Sequence, residues 1–436
     1  MSLKVIASPN LGRKLVEDLK GELEERFDAN VILLFLTNSA KNDSKRVVNL
    51  LKEKFPEAKM AGCTVEAYMT REAVWSRGVA LLLIDSSKVE IAHTSGKNTE
   101  NVFSRLNKTV KARKKVVMFP LVYIPNRINV AKLLTLDRFY YRKFRKANSV
   151  EEKKEVLREY SRVLESKSIY PANVALRQLE GEVAGVNLMP LSGGFRTPSL
   201  FVNFKECHRC CICLGIRGNV RIHYHDVFPE RGKSYEETAE ILKEYFGKAE
   251  FVETVSGRIA IGEVNGKTVV EFLKERIHTR DVEENDLEKG SVPMVSPYGL
   301  TFVSKETYGC SMLGLQSYPV NIYPSIFNLE NFYEKAIYTS EIFRGGISNF
   351  YNLFDRINMD KFIFFALDSN IIPMFSKKIH LIRAHINSLT DEDYLGIFTS
   401  FPSYKSTNIK RKYLTEIERG LCFNGTGTSF MVEVPD

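Results

Sequence analysis

The sequence predicts a layered α/β protein with mixed or antiparallel sheets and β-hairpins, built as two halves. Three observations carry this. Apolar strand-like runs alternate with amphipathic helical stretches, which excludes an all-β sandwich. Strand-like runs separated only by short turns, at Gly78–His93 and within Gly185–Ile277, exclude a purely parallel doubly wound sheet. A further strand–helix series follows Ser234 with no Pro/Gly/Ser-rich spacer before it. Residues 234–436 are therefore expected to complete the core of residues 1–233, with the boundary near Gly232–Ser234.

The elements follow in order. Leu11, Leu15, Leu19, Leu23 and Phe27 recur every four residues, the stripe of an amphipathic helix. Val31–Leu36 is a buried strand, Asp43–Lys54 a helix through Val47, Leu50 and Leu51, and Lys59–Thr64 a short strand. Gly78–Ile84 and Val89–His93 read as a hairpin about Asp85-Ser86-Ser87. A helix over Thr99–Ala112 precedes the strand Lys115–Phe119. Residues 126–168 are rich in charge and tyrosine and read as two helices forming a projection; Ser149 with Glu152 has capping-box spacing. Arg209–Tyr224 reads as a second hairpin. Beyond it, Thr268–Arg276, Asn328–Tyr338 and Gly345–Arg356 read as helices, and Asp281–Lys289 as a loop. Tyr298–Val303, Gly309–Tyr318, Phe362–Ala366, Tyr394–Phe401 and Thr428–Val434 read as strands, with a helical face at Ile379, Ile382, Ile386 and Leu389.

Composition sets the class. The chain has 436 residues, 44% apolar and 26% charged, ordinary for a globular protein able to bury a large core without metals or disulfides. Its longest apolar runs are too short to span a bilayer, and MSLKVIASPNLGRKL lacks a secretory signal's apolar stretch, so a cytoplasmic location is expected. The net charge of +9 comes from 62 basic and 53 acidic residues that are well mixed, so nucleic acid is not expected as a partner. Seven cysteines, an odd count in a long chain, argue against a secreted disulfide framework. Many Lys, Glu, Ile and Val residues with one Trp suit a thermophile, in which a cytosolic disulfide can persist.

Several short motifs stand in a recognisable order. They are VILLFLT at Val31–Thr37, Gly62-Cys63-Thr64, Ser192-Gly193 in the strand Met189–Val202, and the Arg209–Tyr224 segment with Pro229. Asn265-Gly266-Lys267 with Glu271, Leu395-Gly396-Ile397-Phe398-Thr399 and Phe423-Asn424-Gly425-Thr426 follow. This order resembles the FIST family of intracellular ligand-sensing modules, as a divergent archaeal or thermophile member. Gly194 stands where the family usually has an acid, Ala366 where a Cys is common, and Val65-Glu66 follows Thr64 in place of the usual Gly-Glu continuation. The resemblance implies a FIST N-like half at 1–233 and a FIST C-like half at 234–436. It also implies a non-enzymatic sensor of an amino acid or similar small anionic metabolite. No kinase, cyclase, chemoreceptor or F-box output region is recognisable, so the signal is expected to pass to a separate protein.

Candidate chemistry is sparse. Ser192-Gly193-Gly194 with Arg196 resembles an anion site, because glycines free backbone N–H groups and Arg adds a bidentate donor. Gly345-Gly346 after Arg344 is a weaker instance. The expected ligand site is therefore Cys63, Thr64, Ser192, Gly193 and Arg196. Cys63 follows a glycine at a strand end, where a nucleophile can be exposed, but the sequence names no base for it. Cys207-x-x-Cys210 and His223-x-His225 can each supply two metal ligands. If Cys210–Leu214 pairs with Val220–Tyr224, then Cys210, His223 and His225 share one face. The same cysteines also suit a buried strand as small apolar residues, and without a second C-x-x-C no metal or cofactor is expected. Two alternatives stay open: a Cys/His metalloprotein or enzyme, and an interaction protein using the basic 126–168 projection.

Overall fold

The run VILLFLT at Val31–Thr37 is apolar on both faces and is buried along its whole length, as a strand covered on both sides must be. It is the centre of the first of four six-stranded sheets. The computed structural model describes residues 1–124, 126–189, 198–225, 229–230, 232–247, 249–276, 299–304, 308–312, 320–330, 332–339, 353–355, 362–369, 379–406, 421–424 and 428–434.

The chain builds one pattern three times. The first unit is β1 (Ser2–Ser8), α1 (Gly12–Glu22), β2 (Val31–Thr37), α2 (Ser44–Lys54), β3 (Lys59–Val65), β4 (Ala67–Met69), β5 (Val74–Trp75) and β6 (Val79–Asp85). The second is β7 (Val89–Ser95), α3 (Thr99–Thr109), β8 (Lys114–Pro120), α4 (Arg127–Lys146), α5 (Val150–Lys167), α6 (Ala172–Arg177), β9 (Glu182–Leu188), β10 (Leu200–Val202), β11 (Lys205–Cys207) and β12 (Cys210–Ile216). The third begins with β13 (Arg221–His225). It is then interrupted by α7 (Tyr235–Phe246), β14 (Ala249–Ser256), β15 (Ala260–Val264), α8 (Val269–Lys274), β16 (Gly299–Ser304), β17 (Tyr308–Met312), β18 (Tyr323–Pro324) and β19 (Phe332–Thr339). It resumes with β20 (Phe362–Asp368), a helix that we label α9 (Ile379–Leu389), β21 (Tyr394–Thr399), β22 (Ser403–Ser406), β23 (Leu421–Asn424) and β24 (Ser429–Val434).

Each unit centres on a parallel pair joined by a helical crossover: β2–β3, β8–β9 and β20–β21. In each, a later strand returns antiparallel to the first of the pair: β6 on β2, β12 on β8, β24 on β20. The short strands after the second member leave for a neighbouring sheet. Strands β4–β5 join the sheet of β21, β10–β11 that of β3, and β22–β23 that of β9. Sheets I (β1-β6-β2-β3-β10-β11), II (β23-β22-β9-β8-β12-β7) and III (β13-β24-β20-β21-β4-β5) thus exchange edge strands in a ring.

The three inner faces share one apolar core. Phe35 and Cys63 from sheet I, Met118 and Val186 from II, and Phe364 and Ile397 from III all contribute to it. Phe35 stacks on Phe364 with centroids 5.7 Å apart, tying sheet I to III. Burying one such side chain is worth about 1.5–3 kcal/mol. Outside, α1 and α2 cover sheet I and α9 covers sheet III. Helices α3 and α6 cover sheet II, in a core continuous with α7, α8 and the antiparallel sheet IV, β17-β16-β19-β14-β15-β18. At equivalent register Gly62, Gly185 and Gly396 face Leu34, Val117 and Phe365. A Cβ would overlap the Leu34 carbonyl, the Ser403 hydroxyl and the Phe365 ring respectively.

Residues 126–168 do form two helices, and the Ser149 hydroxyl accepts the Glu152 N–H at the start of α5 as the spacing predicts. The pair packs against sheet IV. Phe144, Leu157, Tyr160 and Leu164 meet Ile259, Ala260 and Ile322, and Asp137 accepts the backbone N–H groups of Asn321 and Ile322 at 2.9 Å.

Three local expectations are corrected. Strands β6 and β7 are not a hairpin: β6 is already paired on both edges, by β1 and β2, so Ser86–Lys88 carries the chain on to sheet II. Strands β12 and β13 are not a hairpin either, because β12 lies between β7 and β8 while β13 pairs with β24. The stretch read as a helix over Asn328–Tyr338 contains β19, which is paired on both edges by β14 and β16; that backbone pairing overrides a helical residue pattern. The expected loop at Asp281–Lys289 and all but 353–355 of the expected helix at Gly345–Arg356 lie outside the described residues.

Candidate functional site

The carboxyl ends of the three parallel pairs close one end of the shared core. Inward-facing residues alternate along each strand, and the last inward level is Thr37 and Val65 in sheet I, Pro120 and Leu188 in II, and Asp368 and Thr399 in III. Sheet III therefore brings a carboxylate and a hydroxyl where sheet II brings only apolar side chains. Asp368 is wholly buried. Thr428, just before β24, falls at the level of Asp368 when the Phe430–Ala366 register is carried two residues on. Among the described residues neither its buried hydroxyl nor that of Tyr68, whose ring lies in the same core, has a hydrogen-bond partner.

Two described chain corners lie at this level, one after β3 and one after β21. At the first, Glu66 leaves sheet I for sheet III. Its N–H donates to Phe398 O at 3.0 Å, and its carboxylate accepts the Ser400 hydroxyl at 2.6 Å. Ser400 belongs to the corner between β21 and β22, where Phe401 has φ +52°. Asn187, near the end of β9, donates to Phe401 O at 2.5 Å and to the Ser403 hydroxyl at 3.0 Å, and its carbonyl accepts the Thr399 hydroxyl. Thr64 and Ser199 lock together. Thr64 N–H donates to Ser199 O at 2.9 Å, and Ser199 N–H donates to the Thr64 hydroxyl at 3.0 Å.

Burial dominates the electrostatics here. It pushes the Glu66 carboxyl up to about 7, with the Ser400 hydrogen bond opposing and the charge of Asp368 reinforcing the rise. Burial also pushes the Cys63 thiol well up, helped by Glu66. A thiol held protonated in this way is a poor nucleophile.

The expected site residues divide. Cys63 and Thr64 are buried at this end of sheet I, as placed above. Ser192, Gly193 and Arg196 lie outside the described residues, as do Arg344, Gly345 and Gly346. Glu66, Asp368, Ser400 and Thr428 were missed. Glu66 had registered only as a departure from a motif, and Asp368 lies some three hundred residues away in sequence.

The constellation of Cys210, His223 and His225 on one face is corrected, because Cys210 and the histidines stand in different sheets. Cys210 is bonded to Cys207, and His223 Nε2 lies 2.7 Å from Glu433 Oε2 on β24. Cys211 and Cys213 point to the opposite face of β12 and are buried there. Among the described residues no group of three or more His, Cys, Asp or Glu side chains is arranged to hold a metal ion. Among the same residues no helix is long and apolar enough to cross a membrane.

Comparison with known proteins finds the FIST N domain over residues 30–221, from the strand before β3 through β12. The AF0772-like protein C-terminal domain matches residues 236–344, which is the segment that builds α7, α8 and sheet IV. An uncharacterized protein of Archaeoglobus fulgidus is 32% identical over 366 residues, covering 83% of this chain and 97% of the relative.

Proposed function

The chain belongs to the FIST family, which is associated with sensing small ligands in signalling, and from that premise we propose that it is a non-catalytic cytoplasmic sensor of an amino acid. The ligand sits where the parallel strands of sheets I and III end. The observation that carries this reading is the pair of carboxyls at that end, the buried Asp368 and the half-buried Glu66, with the buried Thr428 hydroxyl at the level of Asp368. An ammonium group answers both carboxyls. Ser192, Gly193 and Arg196 supply the opposite pole, backbone N–H groups and a guanidinium for the ligand carboxylate. Ser199, the nearest described hydroxyl along the chain, is hydrogen-bonded to Thr64 beside Cys63. The carboxyls move the expected ligand from a net anion to a zwitterion. The bound state is read by a separate output protein.

A thermal-shift screen of amino acids, organic acids and nucleotides tests this. A ligand at a hundred times its dissociation constant stabilises by about 2.7 kcal/mol. An amino acid should give that shift, and Asp368→Asn and Arg196→Ala should each weaken it. Binding unchanged in both variants would sink the site. No shift with any metabolite would favour a second reading, an interaction protein using α4, RINVAKLLTLDRFYYRKFRK. That helix has seven basic residues, and its one acid, Asp137, is turned inward onto Asn321.

A further inference from the structure

The turn Cys207-His208-Arg209-Cys210 between β11 and β12 has no part in the ligand reading. Its two sulfurs are bonded, with Cα atoms 6.3 Å apart. The bridge joins two sheets at a strand exchange: Cys207 ends β11, the edge of sheet I, and Cys210 begins β12 in sheet II. The cysteines are unequal. Cys207 is partly exposed on a three-residue edge strand, whereas Cys210 is 3% exposed. Two residues, His208 and Arg209, lie between them. His208 is exposed. Arg209, at φ +48°, donates to Glu165 O at 3.0 Å and Lys167 O at 3.2 Å, and its guanidinium lies 5.5 Å from the Tyr170 ring centroid. Arg209 is thus held in place by bonds that do not involve the sulfurs.

We propose that Cys207 and Cys210 form a redox-active dithiol site that exchanges with thiol reductants, Cys207 being the sulfur attacked and Cys210 the leaving group. An incoming thiolate attacks the Cys207 sulfur, the bond between Cys207 and Cys210 breaks, and Cys210 departs as a thiolate. A second thiolate then attacks the mixed disulfide at the reductant's sulfur and releases Cys207. The protein gains two electrons and two protons, and two thiols of the reductant become its disulfide. Exposure selects Cys207, since exchange requires access along the sulfur–sulfur axis. Attack on the Cys207 sulfur leaves Cys210 as the departing group. Neither Cys63, Cys211 nor Cys213 competes, because all three are buried. The proposal is independent of the ligand reading.

The full chain is equilibrated in glutathione buffers, and its thiols are alkylated and mapped by mass spectrometry. The Cys207–Cys210 pair should pass from about one tenth to about nine tenths reduced over roughly a hundredfold change in [GSH]²/[GSSG], the span of a two-electron couple. A pair that stays bonded in excess glutathione is a structural bridge and overturns the proposal; a pair that stays reduced in excess oxidised glutathione overturns it as well. A second arm uses Cys210→Ser and Cys207→Ser with oxidised glutathione and with oxidised dithiothreitol. Cys210→Ser should hold glutathione on Cys207 as a mixed disulfide, at least tenfold faster than Cys207→Ser modifies Cys210. Equal rates would refute the assigned asymmetry. Oxidised dithiothreitol is the control, because its mixed disulfide recyclises and expels Cys207; no adduct should accumulate with it, and accumulation with neither oxidant rules out exchange at Cys207.

Discussion

Replacing Glu66 with glutamine isolates the cost of the carboxyl at the corner between sheets I and III. In the folded protein this carboxyl rises from the ordinary 4.5 to about 7. Below pH 4.5 it is protonated in both the folded and the unfolded chain and contributes no penalty. Between pH 4.5 and 7 the folded chain keeps a proton that the unfolded chain releases, so stability falls as pH rises. Above 7 both are ionised and the penalty is constant. Each factor of ten in proton affinity is worth about 1.4 kcal/mol, so the full penalty is on the order of 3 kcal/mol. Glutamine is never ionised, and its carbonyl still accepts the Ser400 hydroxyl seen at 2.6 Å. Denaturant unfolding of both proteins at pH 4.5, 6 and 8 should show nearly equal stability at the lowest pH. Glu66→Gln should then lead by a margin growing to roughly 2–3 kcal/mol at pH 8. Parallel curves across that range would show that the carboxyl is freely solvated, and the enclosed site would lose its main electrostatic feature.

The remaining expectations concern packing and access. Gly62→Ala places a Cβ against the Leu34 backbone carbonyl, which no rotamer relieves; it should cost at least about 1–3 kcal/mol in denaturant unfolding. Leu157→Ala empties a fully buried contact between α5 and sheet IV; it should cost about 2–5 kcal/mol and speed proteolysis within 126–168. Ser149→Ala removes the hydroxyl that accepts the Glu152 N–H; a loss of about 1 kcal/mol is expected, with no change in any ligand shift. Iodoacetamide should leave Cys63 unmodified in the native protein and label it on denaturation; rapid native labelling would contradict its burial.

Much of the local structure was legible because it is local. The four-residue spacing of Leu11, Leu15 and Leu19 gave α1, and the Ser149–Glu152 spacing gave the start of α5. The VILLFLT run gave β2, and the Gly-Cys-Thr motif marked the end of β3. Pairing was not legible, because it depends on which strand edges remain open. Asp85-Ser86-Ser87 has turn chemistry, yet β6 has no free edge to offer β7. The threefold pattern was hidden because its copies share spacing and sidedness more than residue identity: Gly62-Cys63-Thr64, Gly185-Val186-Asn187 and Gly396-Ile397-Phe398 have only the glycine in common. Of the candidate site, Cys63 and Thr64 were readable from a motif. The carboxyls were not, since only the folded chain brings Glu66 and Asp368 to the same end of the core.

The ring of exchanged strands sets the order in which the protein can form during synthesis. Residues 67–75 emerge from the ribosome about three hundred residues before the strand they pair with, Tyr394–Thr399. Sheet I is incomplete until Cys207 has emerged, and sheet II until Asn424. Sheet III likewise waits for β24, which ends at Val434. Contacts between residues so distant make folding slow, because loop entropy is lost before those contacts compensate. Meanwhile the open edges of the half-built sheets can pair with other nascent chains. Such a protein places a standing demand on the chaperones of its cell, and truncation anywhere before its last strand should yield an insoluble product.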